Sequence, residues 1–139
     1  MSTIWRDGRW IAEAARWVAL PLAAFALCTV PRRAIAAEQI PPAAMSEAEG
    51  IFKSRCAMCH GPAGKGDGPA AVALNPKPRD LGDPAWQKSV TDEHIEKIIQ
   101  AGGTAVGKSP MMPANPDLAS KPDVLKALRA IVRNLGTAH

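Results

Sequence analysis

Aromatic side chains are scarce in this sequence. Its 139 residues include no tyrosine, two phenylalanines and four tryptophans, and three of the tryptophans lie within the first seventeen positions. The chain also lacks a Gly-x-y repeat, sustained heptads and a large excess of one charge, which excludes collagen, a coiled coil and a largely disordered protein. Its length predicts one small domain and excludes a multidomain enzyme. The whole chain has thirteen prolines and eleven glycines, so the domain has little material for a core and we expect another large apolar group to complete it.

The N-terminal segment differs in character from the rest of the chain. Three arginines precede an uncharged run at 17–30, and the small-residue pattern Ala34-Ile35-Ala36 follows that run. This order of basic, apolar and small residues is typical of a secretory signal peptide. We therefore predict a signal peptide at 1–36, export to the periplasm, and one domain at 37–139.

A retained membrane anchor is the alternative interpretation of the same segment. Arg32 and Arg33 follow the apolar run, where a signal peptide seldom carries them. However, the run is shorter than the roughly 20 apolar residues that a spanning helix needs. Membrane association is therefore expected only if the signal segment stays uncleaved.

The basic charge of the chain belongs mostly to this segment. Of 17 basic and 13 acidic residues, five basic and two acidic ones lie in 1–36, so 12 basic and 11 acidic residues remain. A nucleic-acid partner needs a basic stripe, which a domain of about +1 formal charge does not supply. We expect no nucleic-acid binding.

Two cysteines lie in the sequence Cys56-Ala57-Met58-Cys59-His60. Cys-x-x-Cys-His is the attachment sequence of haem c, in which each thiol forms a thioether with one haem vinyl group. The adjacent imidazole then binds the iron. We predict one covalent haem c on Cys56 and Cys59, with His60 as an iron ligand.

Three other interpretations of the cysteine pair are weaker. A structural zinc site needs four ligands, and the domain offers only His94 and His139 besides the motif. A thioredoxin-like pair needs a βαβ setting, whereas no segment here alternates like strands. Any two cysteines of an exported protein could form a structural disulfide, but pairs at this short spacing are usually reactive.

Hydrophobic periodicity predicts an all-α domain with three main helices. Ser46 and Glu49 have the spacing of a capping box, which predicts a first helix from 47 into Cys56. Thr91 is expected to cap a second helix over 92–101, which Gly102-Gly103 ends.

The last predicted helix begins at Ser120 and repeats apolar residues as far as Leu135. Between the first two helices the sequence is rich in glycine and proline, which excludes long regular elements there. One helical turn near 70–74 fits in that loop region.

A haem iron with histidine on one side needs a second axial ligand to stay six-coordinate, and methionine is the usual one in electron carriers. Met111 and Met112 lie between Pro110 and Pro113 in a stiff loop before the last helix. Packing of this pair as core filler remains an alternative, and His94 is a weaker candidate for the ligand.

From Ser46 to Gly136 the chain resembles the monohaem class I c-type cytochromes of bacterial electron-transfer chains. The resemblance rests on the motifs Phe52, Cys56-Ala57-Met58-Cys59-His60-Gly61, Gly66-Asp67-Gly68-Pro69, Pro76-Lys77-Pro78-Arg79-Asp80-Leu81 and Ser109-Pro110-Met111-Met112-Pro113. It implies the cytochrome c fold, with three main helices and proline- and glycine-rich loops around one covalent haem.

The resemblance also implies roles for particular residues. The axial methionine of such cytochromes directly precedes a proline, which corresponds to Met112, with Met111 as the second choice. Their Gly-Pro carbonyl accepts a hydrogen bond from the haem histidine, which pairs Pro69 with Nδ1 of His60. Ala48 corresponds to the small residue at the crossing of the first and last helices.

The expected function is that of a diffusible, monomeric one-electron carrier and not of an enzyme, because His60 and Met112 leave no iron position for a substrate. Its partners would be a redox protein donor and a redox protein acceptor. Four lysines could form a docking surface for an acidic partner, or they could be scattered solvated charges: Lys53, Lys65, Lys77 and Lys108. A haem c subunit of a larger oxidoreductase and an open-site haem enzyme or gas sensor remain alternatives.

Overall fold

The structure is a computed structural model that describes residues 39–137, so the predicted signal peptide and His139 lie outside the described residues. Within this range every regular element is helical, which confirms the predicted all-α fold. None of these helices has the length and apolar character needed to cross a bilayer. The α-helices are α1 (Pro42–Ile51), α2 (Ala57–His60), α3 (Pro84–Ser89), α4 (Asp92–Ala101) and α5 (Pro122–Leu135). A π-helical turn, Phe52–Cys56, joins α1 to α2, and 3₁₀ turns lie at Ala71–Ala73, Gly103–Val106 and Pro116–Ser120.

The start of α1 differs from the prediction. Ser46 lies inside the helix, which begins at Pro42, and the N-cap Pro41 makes no side-chain capping bond. Proline suits the first helical position, because the backbone N–H that it lacks would have no helical partner there. Two alanines follow, and alanine is the best helix former. The helix therefore starts before the capping-box sequence, and the prediction of Ser46 as N-cap is wrong.

The core lies where α1 and α4 pack against α5. Ala48 and Ala127 are completely buried, one on each of the helices α1 and α5, so the implied small residue does lie in the core. Ile95 of α4, Leu128 of α5 and Leu118 of the preceding 3₁₀ turn are the largest side chains that are fully buried. Burial of each of these side chains away from water contributes on the order of 2 kcal/mol to the stability of the fold.

The ends of α4 agree with the prediction. The Thr91 hydroxyl accepts a hydrogen bond from the backbone N–H of His94 at 3.2 Å, which satisfies a donor that the first helical turn leaves free. At the other end Gly102 has a φ of 78°, a conformation that glycine adopts without steric cost. The predicted bounds of 92–101 are confirmed.

Two predictions around α5 and the glycine-rich region need correction. The α5 helix begins at Pro122 and not at Ser120, whose hydroxyl donates to the Asp117 carbonyl at 3.1 Å inside a 3₁₀ turn. That turn occupies the hydroxyl, so Ser120 does not cap the helix. The short helix α3 was not predicted, although the Asp83 carboxylate caps it by accepting from Ala85 N–H at 2.9 Å. The turn expected near 70–74 is present at Ala71–Ala73.

A network of polar side chains joins α3, α4 and α5, and we call it the helix junction. Arg133 of α5 contacts the Asp92 carboxylate at 2.7 Å and donates to the Gln87 and Val90 carbonyls at 2.7 and 2.8 Å. The Gln87 amide in turn donates to the carbonyls of Leu81 and Val132 at 2.6 and 2.8 Å. Main-chain oxygens of three segments are thereby satisfied by two side chains.

Candidate functional site

The helix α1, the π-helical turn and α2 follow one another without a break, and we call them together the first helical segment. The cysteine pair lies at its end. Cys56 closes the π-helical turn, in which the N–H of Ala57 reaches back five residues to the Phe52 carbonyl. Cys59 lies in α2, and both cysteines are free, half-buried thiols. Single π-helical turns inside α-helices are frequent at functional sites. Met58, between the cysteines, is 50% exposed.

The environment of Cys56 favours the protonated thiol. Burial raises its pKa above the ordinary value, the charge of Arg55 lowers it, and Cys59 raises it again, with burial the largest effect. Desolvation disfavours a thiolate because the charged form loses more hydration than the neutral one. Cys56 is therefore held as a neutral thiol near neutral pH.

Backbone hydrogen bonds hold the segment that follows His60 against the cysteine-bearing turn. The N–H groups of Gly66, Gly68 and Ala70 donate to the carbonyls of His60, Cys59 and Met58 at 2.8, 3.1 and 2.9 Å, respectively. These carbonyls end a helix and would otherwise lack helical partners. We call residues 56–70 the attachment turn, since this segment carries the two thiols and these hydrogen bonds join its two ends.

Close backbone packing explains the glycines of this turn. A Cβ atom on Gly68 would collide with the carbonyl oxygens of Ala57 and Met58. Gly66 has a φ of 73°, and a Cβ there would meet the Pro78 carbonyl. The segment containing Pro78 and Arg79 is therefore brought directly against the turn that carries His60.

His60 finds its hydrogen-bond partner in this neighbouring segment. Its Nδ1 lies 3.0 Å from the carbonyl oxygen of Arg79. The expected partner, the Pro69 carbonyl, is therefore replaced in this structure by Arg79. The physical reason is the approach of 78–79 to Gly66, whereas Pro69 is an exposed residue between the donors Gly68 and Ala70.

The contact with Arg79 determines the form of the imidazole. A carbonyl only accepts hydrogen bonds, so Nδ1 carries the proton and Nε2 keeps a free lone pair. Burial lowers the pKa of His60, and the bond to the Arg79 carbonyl acts in the opposite direction as the smaller effect. The neutral ring is the form that binds a metal.

Met111 and Met112 lie in the loop at 107–113, which we call the methionine loop. This loop is fixed through its backbone. The Met112 carbonyl accepts from Gly103 N–H at 3.0 Å, and the Met112 N–H donates to the Ser109 carbonyl at 3.2 Å. Met112 is half-buried, whereas Met111 is 58% exposed. A Cβ on Gly103 would collide with the Ser109 carbonyl, so the loop depends on glycine at the end of α4.

One side chain connects the attachment turn with the segment after this loop. Arg55, directly before Cys56, donates through Nη1 to both carboxylate oxygens of Asp117 at 3.0 Å and to Oδ1 of Asn115 at 3.2 Å. Sequence reasoning missed both Arg55 and Arg79 as site residues. A backbone acceptor has no side-chain signature, and Arg55 is separated from its carboxylate by 62 positions.

The donor set fits haem c and does not fit a protein-only metal site. Two free thiols three positions apart adjoin an imidazole with a free Nε2, which is the set that covalent haem requires. Within residues 39–137 no three side chains among His, Cys, Asp and Glu cluster closely enough to bind a metal ion.

Comparison with protein families agrees with this donor set. The family model described as cytochrome c matches residues 45–135, which is most of the described chain. The chain belongs to the cytochrome c family. Membership bears out the predicted c-type cytochrome, its all-α fold and haem c electron transport as its broad function. A comparison with curated proteins found no match.

This c-type cytochrome also has an apolar concavity apart from the thiols. It measures about 460 Å³ and lies between the first helical segment and α5. Its apolar lining comes from Phe52, Ala57, Pro62, Ile131 and Leu135. Cys56, Cys59, His60 and Met112 are not among its lining residues, whereas Ala57, between the two cysteines, is one of them.

Proposed function

We propose that the chain is an exported, monomeric one-electron carrier with a single haem c on Cys56 and Cys59 and with His60 and Met112 as axial iron ligands. The observation that carries the proposal is the arrangement of two free thiols beside an imidazole whose Nδ1 is held by the Arg79 carbonyl. When bound, haem c supplies reversible one-electron transfer between ferric and ferrous iron.

The residues around His60 orient the ligand before any group binds. The Arg79 carbonyl selects the tautomer with a free Nε2 and makes the ring a better donor, as outer partners of metal-binding histidines do. The N–H groups of Gly66 and Gly68 hold the main chain of His60 and Cys59. The imidazole and the second thiol thus share one rigid backbone frame.

Met112 is the better candidate for the sixth ligand. Its side chain is half-buried and its carbonyl is tied to Gly103, whereas Met111 faces solvent to a larger extent. A thioether ligand favours ferrous iron and so suits an electron carrier. With both axial positions filled by side chains, no position stays open for a substrate, which supports a carrier over an enzyme.

The partners proposed are a redox protein donor and a redox protein acceptor. Lys53, Lys65, Lys77 and Lys108 are exposed and form no ion pair within residues 39–137. Charges without an internal partner are free to steer an acidic partner, and such steering weakens as salt rises. The export part of the proposal rests on the signal-like pattern of 1–36.

Covalent attachment is tested first, by intact mass after expression with a haem c maturation system. The periplasmic protein should have the mass of the chain without residues 1–36 plus one haem, and the haem should survive acid–acetone extraction. Replacing Cys56 and Cys59 together with alanine should abolish the retained haem. A haem that is extracted from the unaltered protein would overturn covalent binding, and a full-length mass in the membrane fraction would favour the anchor.

Axial ligation is tested on the oxidised holoprotein. Methionine-ligated ferric haem has a weak near-infrared band, which Met112→Ala should remove and Met111→Ala should retain. The unaltered protein should bind cyanide slowly and show negligible peroxidase turnover, because no iron position is open. Loss of the band in Met111→Ala alone would move the ligand by one residue, whereas rapid cyanide binding by the unaltered protein would favour an open-site haem protein.

A further inference from the structure

We propose that Arg55 is a positioning residue that keeps the methionine ligand closed on the iron, through a clamp formed with Asn115 and Asp117. This inference rests on the proposed ligation by Met112. Arg55 Nη1 contacts both oxygens of the Asp117 carboxylate at 3.0 Å and the side-chain oxygen of Asn115 at 3.2 Å. Charge-assisted hydrogen bonds of this kind are the stronger class.

The clamp has a rigid side, the end of α4. The Asn115 side-chain amide donates to the Ile99 carbonyl at 2.8 Å, and its backbone N–H donates to the Gln100 carbonyl at 2.9 Å. Asn115 is therefore fixed to the end of α4 while its side-chain oxygen accepts a hydrogen bond from Arg55. It follows Met112 by three positions, so little chain separates the clamp from the ligand.

The other side of the clamp is the attachment turn. Arg55 directly precedes Cys56, which the proposed thioether would fix to the haem. Among the residues described, these bonds of Arg55 are the only hydrogen bonds between segment 52–60 and segment 103–120. Motion of the methionine loop that carries residues 115–117 with it therefore has to break or stretch the clamp.

Loss of the clamp is expected to change how often the methionine leaves the iron more than it changes the free energy of unfolding. Arg55 and Asp117 are about half exposed, with 46% and 44% of their side-chain surface accessible. An ion pair of that exposure changes an equilibrium by about two- to fivefold. The opening of a surface loop is the equilibrium that the clamp opposes directly, so its loss should raise the open population by about this factor.

A matched ion pair in the same protein provides the control. Lys121 contacts Glu47 at 2.6 Å, with exposures of 45% and 43%. It too connects the first helical segment with a distant part of the chain, but it joins α1 to the start of α5 and not to the methionine loop. The control therefore has the same kind of bond and nearly the same solvent screening.

The experiment compares oxidised holoproteins with Arg55→Gln, Asp117→Asn, both changes together, and Lys121→Gln. The rate of cyanide binding reports how often the methionine leaves the iron, and the near-infrared band reports that it is bound. We expect binding about two- to fivefold faster in each clamp variant. The double variant should be no faster than Arg55→Gln, because Arg55→Gln already removes the contacts with both Asp117 and Asn115. Lys121→Gln should match the unaltered protein.

Equal acceleration by Lys121→Gln would overturn the clamp, because any loosening of the fold would then suffice. Unchanged rates in Arg55→Gln and Asp117→Asn would overturn it as well. Arg55→Lys, which keeps one charged donor, should restore part of the slow binding. Failure of the clamp alone leaves the near-infrared band of the unaltered protein in place, whereas absence of that band overturns the Met112 ligation on which the clamp rests.

Discussion

The attachment turn and the helix junction are held together by different parts of the chain. In the attachment turn, main-chain N–H groups of Gly66, Gly68 and Ala70 satisfy main-chain carbonyls, and no side chain takes part in these bonds. In the helix junction, the side chains of Arg133 and Gln87 satisfy the carbonyls. Carbonyls at helix ends need partners in both places.

The difference teaches where substitutions are tolerated. A turn closed by backbone bonds leaves its outward side chains free to vary but has no room for a Cβ at its contact points. A junction closed by side chains is sensitive to the loss of a long polar residue.

The largest effect is expected for Gly68→Ala. The added Cβ would collide with the carbonyl oxygens of Ala57 and Met58, which belong to the backbone and cannot rotate away. We expect the free energy of unfolding of the holoprotein to fall by about 3 kcal/mol, the upper part of the range for overpacking. Gly50→Ala is the control, since Gly50 lies in α1 with no atom near its Cβ position.

That control should gain stability of up to about 1 kcal/mol, because alanine favours a helix over glycine. Denaturant unfolding followed by far-ultraviolet circular dichroism measures both variants. A Gly68→Ala protein as stable as the unaltered one would show that the turn yields, and backbone closure would then not distinguish the two regions.

Arg133→Met tests the helix junction. The methionine keeps an apolar stem but leaves the Gln87 and Val90 carbonyls without this donor, while Asp92 keeps its contact with Arg129 at 3.0 Å. We expect a loss of about 1–3 kcal/mol in the free energy of unfolding, the cost of leaving such groups unsatisfied. Lys88→Met, at an exposed position of α3, should change it by less than about 0.5 kcal/mol. Equal losses would remove the special role of the junction.

Thr91→Ala addresses a smaller side-chain contribution beside the junction. Removing the hydroxyl frees the His94 N–H at the start of α4, which typically costs about 1 kcal/mol. Ser46→Ala is the matched change, because this serine lies inside α1 and caps nothing. It should gain a few tenths of a kcal/mol through helix propensity. Thermal unfolding compares the two, and a loss at Ser46 would restore its predicted capping role.

Pro69→Ala should have the smallest effect. Pro69 is exposed, and Nδ1 of His60 contacts the Arg79 carbonyl instead. We expect a loss of about 0.5 kcal/mol, which arises from the greater freedom of the unfolded chain. The reduction potential and the visible spectrum of the holoprotein should stay unchanged. A shift in the potential would indicate that the Pro69 carbonyl, and not that of Arg79, orients the ligand.

The sequence predicted those features that depend on local side-chain chemistry. The cysteine and histidine spacing led to the family that the family model supports, and Thr91 with Gly102 bounded α4 correctly. Ser46 was misplaced because Pro42 and the alanines after it start the helix earlier. Asp83 carried a capping signal before Pro84, but the density of prolines around it concealed the short helix.

The remaining errors come from interactions that residue types do not encode. Any residue offers a carbonyl, so only the approach of 78–79 to Gly66 shows that Arg79 replaces Pro69 as the partner of His60. The bond from Arg55 to Asp117 spans 62 positions and joins two irregular segments, so no periodic pattern relates them. The individual roles of Cys56, Cys59, His60 and Met112 stay predictions for the experiments above.

The backbone closure of the attachment turn has a consequence for the order in which the protein folds. Its three bonds join residues six to twelve positions apart, whereas the contact of Lys121 with Glu47, which accompanies the pairing of α1 and α5, spans 74. Loop-closure entropy makes the longer connection costlier by about 2 kcal/mol. We therefore expect the segment that presents the thiols and the imidazole to take shape early, while the terminal helices are still apart, and to be accessible during synthesis of the holoprotein.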